Sequence, residues 1–209
     1  GQSVTLHEQV LLPLHNRIEM DLGLEAIAPR LRGDPRFGPQ FEAAFGRPAT
    51  IQDTGAALEL FVSRIWIGAS AVDRFQAGEF EALDERERAG LWLYESKAGC
   101  WRCHAGRNYA DEEFHATGVG ARDGVAERGR FAITDEAQDR GRFKTPTLRG
   151  LTLTAPYMHD GSLATIEDVV AYYRRGGNAT PERDENLRPL ELDEAEAANL
   201  AAFLRALSR

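Results

Sequence analysis

Cysteine is nearly absent from this chain, with two in 209 residues, so no disulfide framework holds it together. No run of 18 apolar residues occurs, which excludes a conventional membrane-spanning helix. Positive charge is in deficit: 25 Lys and Arg stand against 33 Asp and Glu, a net charge of -8. That balance argues against a nucleic-acid surface. The start, Gly1-Gln2-Ser3, carries no basic n-region of a signal peptide. Internal repeats and low-complexity segments are missing as well.

Helical spacing is what the sequence does have. Residues 5 to 30 read as helical, with Val10, Leu11, Leu14 and Ile18 on one face and Pro13 interrupting. Phe37, Phe41 and Phe45 recur every four residues and predict a short helix stopped near Gly46 and Pro48. Thr50 or Asp53 caps the next helix, which runs through Leu58, Phe61, Val62 and Ile65. Ser70 to Gly78 reads as a connector. Asp84 with Glu87, Thr165 with Asp168, and Asp193 with Glu196 are capping boxes that open three further helices. Between Cys100 and Pro156 the pattern is broken and rich in Gly, Asp and Arg. A long irregular stretch of that kind commonly wraps something functional. The fold expectation is all-α with long irregular loops.

Both cysteines fall in Cys100-Trp101-Arg102-Cys103-His104. This is the attachment pattern of a covalent c-type haem: two thiols add across the vinyl groups, and the adjacent histidine supplies the proximal iron ligand. A thioredoxin-like redox pair would need a preceding βαβ context, which is lacking. A zinc site would need two more ligands from His7, His15, His115 or His159. Covalent haem implies assembly outside the cytoplasm, so the cysteines serve the cofactor and the expected compartment is the periplasm. Candidates for a second axial ligand are Met20, Met158, His159, Tyr172 and Tyr173, and spacing alone leaves the choice open. Tyr172 and Tyr173 are adjacent on a helix, so only one can point at the iron.

The sequence resembles the bacterial di-haem cytochrome c peroxidase and MauG superfamily over nearly its whole length. The blocks that carry this are Glu8-Gln9-Val10-Leu11 with Ile18-Glu19-Met20, Asp73-Arg74-Phe75, and Cys100 to His104. To these are added Gly141-Arg142-Phe143-Lys144-Thr145-Pro146-Thr147-Leu148-Arg149 and Leu153-Thr154-Ala155-Pro156-Tyr157-Met158-His159-Asp160-Gly161-Ser162. Gly150 departs from the pattern, since many relatives have Asn there. The resemblance implies a cytochrome c-like haem domain over 77-209. It implies the C-terminal half of a second such domain, the peroxidatic one, over 1-76. Glu19, Gln9 and Pro13 match that domain's distal pocket, with Glu19 as the acid–base carboxylate.

Tyr173 lies fourteen residues after His159, where classical peroxidases carry a Met ligand and MauG-type enzymes a Tyr. The resemblance therefore favours a His104–Tyr173 haem that stabilises oxidised iron. It implies use of hydrogen peroxide, with oxidising equivalents stored on high-valent haems and passed to residues of a partner protein. The alternatives are a peroxidase that takes electrons from a small cytochrome c or cupredoxin, and a plain electron-transfer cytochrome. The family's calcium ion would be bound by the backbone carbonyls of Thr154 and Pro156. His159 matches a pocket residue between the haems, and Arg142 and Lys144 are candidates to pair with haem propionates. The chain has one haem motif. The resemblance makes it roughly the last two thirds of such an enzyme, with the inter-haem Trp two positions before Gly1 and the second haem segment earlier still.

Overall fold

A computed structural model describes residues 2–65 and 68–209 of the chain. It divides into two compact units, Gly1–Trp66 and Ile67–Arg209.

The first unit is a set of four short helices: α1 (Leu6–His15), α2 (Leu24–Gly33), α3 (Phe37–Phe45) and α4 (Ile51–Ser63). The single helical stretch expected over residues 5 to 30 is two helices. Pro13 lacks the N–H that would bond the carbonyl of Gln9, and α1 ends two residues later. Asn16 to Met20 then turn back on that last turn, with Met20 N donating to Pro13 O at 3.2 Å and Leu22 N to Leu14 O at 2.9 Å. Ile18 consequently leaves the predicted apolar face and is 91% exposed. α3 matches its aromatic spacing, with Phe41 stacked on Phe45 at 5.6 Å and Gly46 closing the helix at φ +68°. Thr50 caps α4 and accepts from Asp53 N, and Asp53 completes the box. α1 packs on α4 where Gly55 leaves room for the His7 ring; a Cβ there would lie 2.6 Å from His7 Cε1.

The second unit is built on α6 (Glu85–Glu95), α8 (Ile166–Arg174) and α9 (Glu194–Ala206), each opened by the capping box read in the sequence. α6 and α9 cross closely because Gly90 lacks a side chain; a Cβ would lie 2.7 Å from Phe203 Cβ. Phe203, Leu200, Leu207, Leu83 and Val72 are the largest fully buried side chains at the centre of the core. The Ser70–Gly78 connector is in fact a short helix, α5 (Ala71–Gln76), capped by Ser70 with Asp73. Its Ala71 and Val72 are buried in this core. α5 therefore belongs to the second unit, and the break falls about ten residues before the expected boundary at 76/77.

The stretch from Cys100 to Pro156 is irregular, as its composition indicates, with short 3₁₀ turns at Cys100–Arg102, Ala137–Asp139 and Leu151–Leu153 and a four-residue helix, α7 (Phe131–Thr134). It also contains two three-residue antiparallel strands, β1 (Phe114–Ala116) and β2 (Arg142–Lys144), registered with His115 opposite Phe143. The described residues are thus mainly helical, with one small ribbon whose strands are too short for the sequence pattern to reveal. Among the described residues, no helix is long and apolar enough to cross a membrane.

Candidate haem site

A cavity of about 460 Å³ opens in the second unit beside the Cys100–Arg102 turn. Its wall includes Cys100, Cys103 and His104 on one side, and Tyr157, Met158, His159, Val169 and Tyr173 from the later blocks. The volume lies in the range of small-molecule and cofactor pockets.

The chemistry of the donor set fits a c-type haem. His104 Nδ1 lies 2.9 Å from the carbonyl of Tyr109. A carbonyl only accepts, so Nδ1 carries the proton and Nε2 keeps its lone pair for a metal. Burial also lowers the His104 pKa, which favours the neutral ring a ligand requires. The backbone of His104 is fixed from the core: its carbonyl accepts from Tyr94 Oη. Burial pushes the Cys100 thiol up to about 12 and the Cys103 thiol up to about 11. Both are therefore thiols at neutral pH, unlike the low-pKa pairs of redox catalysts. They are unpaired in the structure.

The two adjacent tyrosines diverge, with ring planes at 87°. Tyr172 is buried in the core. Its hydroxyl donates to Thr117 O at 2.7 Å and accepts from Asn178 N at 3.1 Å. Tyr173 lines the cavity, and burial raises its phenol pKa. Met158 also lines the cavity, at φ +70°, a left-handed conformation uncommon for a side chain of this kind. His159 stacks on Phe143 at 3.6 Å and makes a 2.9 Å hydrogen bond through Nε2 with Glu127.

Lys144 reaches the cavity wall and pairs with Glu112. Arg142, expected beside it, is not among the cavity residues, although both belong to β2. Thr154 and Pro156 border the same cavity. Among the described residues no hydrogen bond reaches the carbonyl of either, so both oxygens keep their lone pairs. In the first unit, Gln9 and Pro13 are four apart on α1 and share a face. Glu19 is exposed and lies in the turn after α1, where it accepts from Asn16 Nδ2 at 2.7 Å.

Several contacts here have no signature in local pattern. His115 is clamped by two carboxylates, with Nδ1 at 2.6 Å from Asp184 and Nε2 at 2.9 Å from Asp111. Donor atoms of Cys103, Asp111 and His115 lie within 4.8 Å of one another. With both ring nitrogens donating to carboxylates, however, His115 has no lone pair for a metal. The Glu127 partner of His159 and the Tyr109 acceptor of His104 are likewise products of the tertiary fold.

Comparison with known proteins places this geometry. A family profile for the di-haem cytochrome c peroxidases matches residues 1–81. Over 98% of the chain, the structure superimposes on that of a MauG-like protein associated with microbial copper homeostasis. The TM-score is 0.88 with 33% sequence identity, and 69% of that protein is covered. The chain belongs to the di-haem cytochrome c peroxidase and MauG family. Among similar family members, the methylamine utilization protein MauG of Methylorubrum extorquens is 34% identical over 99% of the chain. The cytochrome c551 peroxidase of Pseudomonas aeruginosa is 30% identical over the whole chain. The chain spans 59% of the length of each of these two relatives.

Proposed function

We propose that this chain is the larger part of a periplasmic c-type haem oxidoreductase that uses hydrogen peroxide in a MauG-like role, oxidising residues of a partner protein. The observation that carries this reading is the divergence of the two tyrosines. Tyr173, not Tyr172, faces the cavity that Cys100, Cys103 and His104 border. Bound there, a haem supplies one-electron redox chemistry at its iron.

The chain's own residues prepare the site in stages. Cys100 and Cys103, both partly buried, would each hold the haem by adding sulfur to one carbon of a vinyl group and hydrogen to the other. His104 presents Nε2, its tautomer set by Tyr109 O. Tyr173, kept a neutral phenol by burial, would give up its proton to become an anionic ligand that favours oxidised iron. Lys144, at the cavity wall, would pair with a propionate. The free carbonyls of Thr154 and Pro156 suit a calcium ion.

In the same reading the first unit is the C-terminal half of the peroxidatic domain. Gln9 and Pro13 form the distal face there, and Glu19 moves a proton between the peroxide oxygens. The second haem comes from a segment outside these 209 residues. A second reading, a peroxidase supplied with electrons by a small cytochrome c or cupredoxin, is supported by the likeness to cytochrome c peroxidases.

The test mixes the full-length, haem-loaded protein with hydrogen peroxide and follows haem absorption. A spectral response that slows in Glu19→Gln supports the reading, and a protein whose haems ignore peroxide defeats it. Whether the oxidised protein then modifies a partner or is re-reduced by a small redox protein separates the two roles.

A further inference from the structure

The carbonyl that accepts the His104 proton is fixed from outside the haem motif. Tyr109 is buried and sits at φ +52°. A non-glycine residue in that region is strained and persists only where its surroundings hold it. The surroundings here are the irregular segment after β2 that ends at Arg149. Arg149 Nε donates to Arg107 O at 2.6 Å, and Thr147 Oγ1 donates to Asn108 O at 2.5 Å. The Arg149 guanidinium lies 5.3 Å from the Tyr109 ring centroid, a cation–π distance.

Arg149 is itself locked. Its two terminal nitrogens donate to the two oxygens of Asp73, each at 2.7 Å. Asp73 is set by the cap of α5, accepting from Ser70 N and Ser70 Oγ at 2.7 Å. The Arg149 side chain is only 18% exposed. None of Asp73, Arg149 and Tyr109 borders the cavity, so none of them touches a bound haem directly.

We propose that the Asp73–Arg149 pair is a positioning element for the proximal imidazole: it holds Tyr109 O on the His104 Nδ1 proton and thereby sets the reduction potential of the haem. The proposal rests on reading His104 as the proximal ligand. A firm Nδ1–H bond to a carbonyl makes the imidazole a stronger donor and stabilises ferric iron. Loosening the 107–109 segment weakens that bond and shifts the balance toward ferrous iron. The planar fork matters as well as the charge, because lysine cannot bridge both Asp73 oxygens and Arg107 O at once.

The experiment is a spectroelectrochemical titration of the haem attached to Cys100 and Cys103 in the full-length protein, comparing wild type with Arg149→Lys and Asp73→Asn. Lys97→Met is the control; it removes a surface ion pair with Glu196 in the same unit. Each test variant is expected to shift the ferric–ferrous equilibrium about tenfold toward ferrous, about 59 mV, and the control is expected to shift nothing. The Arg149→Lys, Asp73→Asn double variant is expected to match the singles, since both act through one contact. A lowered thermal midpoint with an unmoved potential overturns the proposal and leaves a merely structural ion pair. Wild-type protein with no haem on Cys100 and Cys103 would instead overturn the underlying site reading. For a variant that fails to take up haem, amide hydrogen exchange across residues 107–111 decides: faster exchange than wild type supports the proposal, and unchanged exchange overturns it.

Discussion

Two neighbouring tyrosines face different surroundings, and single substitutions separate their roles. Tyr173→Phe is expected to change the low-spin haem spectrum, because the oxygen it loses faces the cavity. An unchanged spectrum removes Tyr173 as a ligand. Tyr172→Phe is expected to leave that spectrum alone and to destabilise the fold by about 1–3 kcal/mol in denaturant titration, because Thr117 O and Asn178 N lose a buried partner. His115 gives a pH signature. Its burial opposes the charged ring, but hydrogen bonds to Asp184 and Asp111 outweigh that and raise its pKa above 6.5. Burial likewise works against the charge of Asp111 and Asp184, and their hydrogen bonds lower both below 3.8. The His115 contribution is therefore complete below its unfolded value and is lost as pH rises through its raised one. The aspartate contributions are complete above 3.8 and fade as pH falls through their lowered ones. Thermal stability should peak between these limits, and His115→Gln should flatten the alkaline side of a melting-temperature profile.

Among elements, the α6–α9 crossing is the tightest in chemical terms. Alanine is the better helix former by about 1 kcal/mol, yet Gly90→Ala is expected to destabilise by about 1–3 kcal/mol because the new methyl meets Phe203 and the Asn199 backbone. Denaturation that shows Gly90→Ala neutral or stabilising would mean the helices part at little cost. The capping boxes at Asp84, Thr165 and Asp193 are readable in sequence because each is a contact over three residues. Ser70 and Asp73 form the same box, but α5 is only six residues long and too short for an apolar period, so it reads as a connector. The β1–β2 ribbon escapes for a related reason: its strands have three residues each and are separated by 25 residues. Ile18 is misassigned for a different one, since the turn at Asn16–Met20 depends on contacts back to Pro13 and Leu14.

At the scale of the whole molecule, one Cys-x-x-Cys-His motif predicts one covalent haem on these 209 residues. Peptide mapping of the matured full-length protein should find a single haem within these residues, on Cys100 and Cys103 and lost in the Cys100→Ala, Cys103→Ala double variant; a second haem attached within them would contradict the site described here. What the sequence by itself determines is whatever lies within a few neighbouring residues: the haem attachment motif, the helix caps, the aromatic period of α3. Its longer blocks also mark the family. What only the tertiary structure decides is which of those groups face one another. It turns Tyr173 into the cavity and Tyr172 into the core, sets the His104 tautomer through Tyr109, and joins Asp73 to Arg149 across 76 positions of chain. Side-chain direction and long-range pairing follow from how the helices bury their apolar faces against each other, and no local pattern records that packing.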